Sequence, residues 1–90
     1  MGTETLCYAD RGHAGQLAHC IQDQIIGSLG TVDRGVKERP GLVVLRMTDM
    51  PAVLVELAFI SNEGDAALLV NDKDEFARAI ARGITDYECM

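Results

Sequence analysis

An α/β domain, a partial mixed sheet covered by helices, is the fold class this sequence predicts, and three observations predict it. Ala52–Val55 is a short apolar run of the kind that forms a strand covered on both faces. His13–Leu29 and the residues after Asp72 each carry apolar positions at helical spacing. Strands and helices alternating along one chain bury their apolar surfaces most simply as one sheet with helices packed on it. Ninety residues make one small domain, able to bury roughly 60–65% of its unfolded surface.

Taken in order, residues 3–9 alternate as a strand does, with Leu6 and Tyr8 on one face and Thr5 and Cys7 on the other. Asp10-Arg11-Gly12 breaks that strand. A helix follows from about His13 to Leu29, with Leu17, Ala18, Ile21, Ile25 and Leu29 along one side and Gln16, His19, Gln22 and Asp23 largely on the other. Gly30 is placed to close it in the left-handed conformation. Thr31–Gly41 reads as a long loop with a short extended piece at Gly35-Val36-Lys37, ending in the turn signal Arg39-Pro40-Gly41.

Leu42–Leu45 is rich in leucine and valine and reads as a strand, with Arg46 just beyond it. Residues 52–57 form the next strand, expected at the centre of the sheet. Asp65–Val70 reads as a short helix. Asn71 or Asp72 can cap the last helix, Asp72 with Glu75 at the reciprocal capping-box position. Phe76, Ile80, Gly83, Ile84 and Tyr87 make its apolar stripe, and Asp74 and Arg78, four apart, form a candidate surface pair. The expected core is β-α-β-β, from strand 3–9, the first helix and strands 42–46 and 52–57, with two helices behind it.

Eight basic against fourteen acidic residues give a net charge of −6, which opposes binding to a phosphate backbone, and no Lys/Arg cluster offsets it. No glycine-rich phosphate loop follows a strand and no aromatic ladder suits single-stranded nucleic acid. The three cysteines, Cys7, Cys20 and Cys89, lack CxxC spacing and an even count, which argues against a disulfide framework or a zinc site made of cysteine. No run approaches the roughly eighteen apolar residues that cross a membrane, and no basic region with an apolar signal segment opens the sequence.

Glu56 is the residue that stands out. It interrupts an apolar stretch between Val55 and Leu57, and an ionised carboxylate there needs a metal, an arginine or an opening to solvent. Open α/β sheets place their chemistry at the carboxyl ends of strands, so in a cleft there Glu56 could act as general acid/base or metal ligand. The plain alternative is a surface glutamate following a strand.

Arg34-Gly35-Val36-Lys37, Leu42-Val43-Val44-Leu45-Arg46 and the whole of Met50–Asn62 resemble the carboxyl-terminal half of the zinc-dependent N-acetylmuramoyl-L-alanine amidases, which cleave peptidoglycan. Gly2–Tyr8 resembles the segment that follows the last histidine ligand of that family. The resemblance covers nearly the whole chain in the right order. It implies an amidase fold of which residues 1–90 are a single partial catalytic domain, the later half.

In that family two histidines and a glutamate hold zinc, and a separate late glutamate in the motif Pro-Ala-Val-Leu-Val-Glu transfers the proton. The motif is matched at Glu56, which the resemblance makes the catalytic glutamate. The zinc-bearing segments would precede Gly2, so the resemblance assigns no metal ligand here: zinc belongs to the intact enzyme, and the isolated chain is expected to be inactive. His13 and His19 are six residues apart, about 240° around a helix after full turns, and share no face.

Arg46 is a candidate for orienting the muramyl-peptide carboxylate or for holding Glu56 through its rigid donor fork, against an ordinary ion pair. Arg34 and Lys37 could line the substrate side of the cleft or lie on a polar loop face. Asn62 could contact substrate or fix the turn after Ser61. Peptidoglycan or a muropeptide would be the intact enzyme's substrate, in the cell wall or periplasm. The alternative from another class is a noncatalytic interaction module, in which exposed sheet edge and apolar helix surface favour homo-oligomer formation.

Overall fold

The first strand, β1 (Thr3–Cys7), is buried at all five positions and lies at the centre of the three described strands. The structure, a computed structural model, describes residues 2–41, 52–56 and 73–90. The expected strand at 42–46, the short helix at 65–70 and the caps at Asn71 and Asp72 lie outside them. β1 ends at Cys7 rather than at residue 9, and Tyr8 turns into solvent.

α1 (Gly12–Leu29) agrees with the predicted helix and begins one residue earlier. Gly30 closes it with φ 66°, its N–H donating to the Ile26 carbonyl at 3.0 Å. That left-handed backbone is why glycine suits the position. Ala18, Ile21 and Ile25 are buried as the stripe predicts, but Gln22, expected on the polar side, is only 2% exposed. Its amide makes the burial tolerable: Nε2 donates to the Thr3 carbonyl at 2.7 Å and to Asp33 Oδ1 at 2.9 Å, and Oε1 accepts from the Thr5 hydroxyl at 3.0 Å.

Asp33–Glu38, expected as loop with one extended piece, is a strand, β2, parallel to β1. Its sequence Asp-Arg-Gly-Val-Lys-Glu shows no apolar alternation because its outer positions are exposed; the backbone ladder to β1 makes it a strand. Gly35, at φ 78°, sits at a register shift, so Thr3 pairs with Asp33 while Thr5 pairs with Val36.

β3 (Val53–Glu56) runs antiparallel to β1, giving the order β2-β1-β3. The strand expected at the centre therefore lies, among the described strands, beside the central one. Val53 and Val55 face the core, while Leu54 is 41% exposed.

α2 (Lys73–Glu88) packs along α1. Ile21, Ile25, Phe76 and Ala79 form the core cluster, with Leu17, Leu29, Val53, Val55 and Ile80 against it. The buried positions of α2 are Phe76, Ala79 and Gly83; Ile84, expected in the stripe, is 42% exposed, since the line of contact follows positions 76, 79 and 83. Gly83 permits that approach, because a Cβ there would lie 2.5 Å from the Ile21 Cα. Arg78 pairs with Glu75 rather than with Asp74, the i,i+3 neighbour meeting its guanidinium.

Candidate functional site

Because β3 runs against β1, its carboxyl end lies at the amino end of β1. β2, parallel to β1, starts there too. The register sets Glu56 directly opposite Glu4, and Thr5, Leu6 and Cys7 opposite Val55, Leu54 and Val53. Thr3, Thr5, Cys7, Val53 and Val55 thus share the face toward α1, where Thr5 meets Gln22. Glu4, Leu6, Leu54 and Glu56 share the other face.

Glu56 is half-buried at the last position of β3. Glu4 is 8% exposed, and Arg34 at the start of β2 places Nε 3.8 Å from Glu4 Oε2. A carboxylate so far from water requires such a counter-charge. Arg34, Glu4 and Glu56 therefore form a row across three strands, with the arginine and the candidate catalytic glutamate on either side of Glu4. Glu4 went unremarked in the sequence because Thr-Glu-Thr reads as ordinary strand alternation; only the pairing of β1 with β3 reveals its place.

The sequence candidates separate accordingly. Arg34 and Glu56 come to the same end of the sheet. Lys37 pairs in register with Leu6, nearer the other end of β2, and its side chain is exposed. Arg46 and Asn62 lie outside the described residues. A cavity of about 360 Å³ does exist, lined by Asp10, Gly15, Gln16, His19 and Cys20 among others. It opens where β1 ends and α1 begins, at the opposite end of the sheet, and Glu56 does not line it.

Both histidines are engaged away from Glu56. His19 is exposed on α1 and its Nε2 lies 3.0 and 3.2 Å from the Asp10 carboxylate oxygens. His13 stacks edge-on against Tyr87 with ring centres 6.1 Å apart. Among the described residues no group of three or more His, Cys, Asp or Glu side chains could hold a metal ion, so they do not fit the zinc set that the resemblance implies. Cys7 is fully buried, and burial pushes its thiol up, with Asp10 and Glu38 adding to the effect. Such a thiol is a core residue rather than a nucleophile. Burial also raises Cys20, helped by Asp86 and Asp23.

The described residues define the class as far as a mixed α/β sheet flanked by two helices, with Glu56 at the last described position of one strand. No helix among the described residues is long and apolar enough to cross a membrane. The profile of the N-acetylmuramoyl-L-alanine amidase family matches residues 1–86, and the chain belongs to that family.

Among its relatives is the uncharacterized protein YqiI of Bacillus subtilis, 42% identical over 90 aligned residues that cover 96% of this chain and 43% of YqiI. The N-acetylmuramoyl-L-alanine amidase LytC of the same organism is 45% identical over 74 residues, 80% of this chain and 15% of LytC. Among solved structures, the CwlD amidase of Clostridioides difficile, in complex with the GerS lipoprotein, superposes with a TM-score of 0.89 at 32% identity, over 98% of this chain and 46% of CwlD. The amidase AmiC2 of Nostoc punctiforme gives 0.88 at 28% identity, over 99% and 49%. The chain thus spans less than half the length of these relatives.

Proposed function

We propose that this chain is the later half of a peptidoglycan amidase domain, and that the intact domain hydrolyses the amide between the muramic-acid lactyl group and the first L-alanine of the stem peptide. The observation that carries this reading is the antiparallel register that brings Glu56 alongside the start of β1. Gly2–Tyr8 resembles the segment just after the family's last histidine ligand, so the residues preceding β1 in an intact domain would arrive beside Glu56.

Amide hydrolysis needs a group that takes a proton from the attacking water and returns it to the departing amine. Glu56 has the chemistry for both, and its half-buried place at a strand end leaves it reachable. The described residues do not fit a zinc set, so zinc belongs in this reading to the intact enzyme, and no step is routed through it. The cell wall or periplasm is the proposed place of action.

The test is muropeptide hydrolysis by the 90-residue chain with added zinc, and by the same chain joined to a segment carrying the family's metal ligands. The chain alone is expected to give no turnover. In the joined domain Glu56→Gln is expected to lower kcat by about 10²–10⁴-fold with little change in KM. Turnover by the Glu56→Gln domain at the parent rate would sink the assignment.

A second reading, a noncatalytic module that associates with itself, is favoured by the exposure of Leu54 on the face away from the helices. Light scattering over a range of concentrations separates the two, since a monomer at every concentration counts against self-association.

A further inference from the structure

The role of Glu4 extends the reading of Glu56 as the proton-transfer group and rests on it. We propose that Glu4 is a positioning residue for Glu56: held on its far side by Arg34, it stands as a negative charge directly across from Glu56 and turns that side chain away from β1.

Three facts combine. The register makes Glu4 and Glu56 direct cross-strand partners on one face, where like charges repel. Glu4 is almost fully buried, so it cannot relieve the repulsion by swinging into water. Arg34 reaches Glu4 from β2, on the side away from Glu56, and gives the buried carboxylate a counter-charge. Of the two glutamates, Glu56 is the one able to yield, because it is less buried. The repulsion disfavours conformations that bring the Glu56 carboxylate toward β1. Arg34 thereby acts through Glu4, on the charge balance of the row.

The experiment uses the full 90-residue chain with ¹³C-labelled glutamate, observing the Glu56 carboxyl carbon at neutral pH and assigning it by its loss in Glu56→Gln. Glu4→Gln and Arg34→Met are each expected to shift that resonance. With glutamine at position 4, Arg34→Met is expected to shift it no further, and Glu4→Asp, which keeps the charge, restores most of the parent position. Urea unfolding of the same variants supplies the second readout: the Arg34→Met/Glu56→Gln cycle should show coupling of roughly two- to fivefold in the folding constant, falling to about one when residue 4 is glutamine.

A Glu56 resonance unmoved by Glu4→Gln in a folded chain overturns the proposal, as does coupling that is the same whichever residue stands at position 4. Should Glu4→Gln not fold, Arg34→Met alone decides, because the Glu56 signal must move when only the guanidinium two strands away is lost. Neither measurement involves turnover, so the amidase reading and the positioning role fail separately.

Discussion

The two faces of the sheet solve opposite problems. Toward α1, Thr3, Thr5, Cys7, Val53 and Val55 are small or branched, and the polar groups among them are paired internally, through Gln22 and through the 2.8 Å contact of the Thr3 and Thr31 hydroxyls. That face is closed chemistry. The other carries Glu4 and Glu56 opposite each other, one ion-paired and buried, the other half-buried at a strand end. A neutral network with every partner inside the domain serves stability. Two like charges set side by side do not.

The largest expected effect that would sharpen this contrast comes from beneath the closed face. Phe76 is 1% exposed at the centre of the helix contact, and Phe76→Ala is expected to cost about 3–5 kcal/mol, measured by urea unfolding. Glu56→Gln should be close to neutral in the same measurement, or slightly stabilising, as relief of a like-charge pair requires. Strong destabilisation by Glu56→Gln would make both faces structural and erase the contrast.

Next comes Gln22→Leu, which removes three hydrogen bonds, those to the Thr3 carbonyl, Asp33 and the Thr5 hydroxyl. A loss of about 1–3 kcal/mol is expected, with the β1–β2 amides exchanging faster by hydrogen-exchange mass spectrometry. An unchanged β1–β2 exchange rate would show that β2 is held by its ladder alone.

The smallest effect is one of pH. Because the folded Cys7 thiol is raised above the ordinary value of 9.0, the unfolded chain releases its proton first. The contribution is therefore complete below that value and is lost as pH rises above it toward the folded one. Unfolding midpoints taken from neutral to alkaline pH should fall less steeply in Cys7→Ala. Equal slopes would place the alkaline sensitivity elsewhere.

Several elements were legible because their signals are local. Periodicity located α1 to within a residue and a helix after Asp72, a glycine after the last periodic residue marked the end of α1, and an apolar run located β3. Family membership was likewise legible from Arg34–Lys37 and Pro51–Asn62. β2 was not, because an exposed strand of Asp, Arg, Lys and Glu has no apolar alternation to read. Gln22 was misplaced for a related reason: helical spacing assigns a polar residue to the outer side unless its buried partners are known.

What the sequence determined by itself, then, was the two described helices, the apolar strand and the candidate Glu56, since each depends on residues near one another in the chain. The tertiary structure alone decided that β1 is central among the described strands, that β3 opposes it, and that Glu4 stands between Arg34 and Glu56. Strand order and register arise from backbone pairing across tens of residues, and a one-residue slip would carry every side chain to the other face. No local spacing encodes that choice.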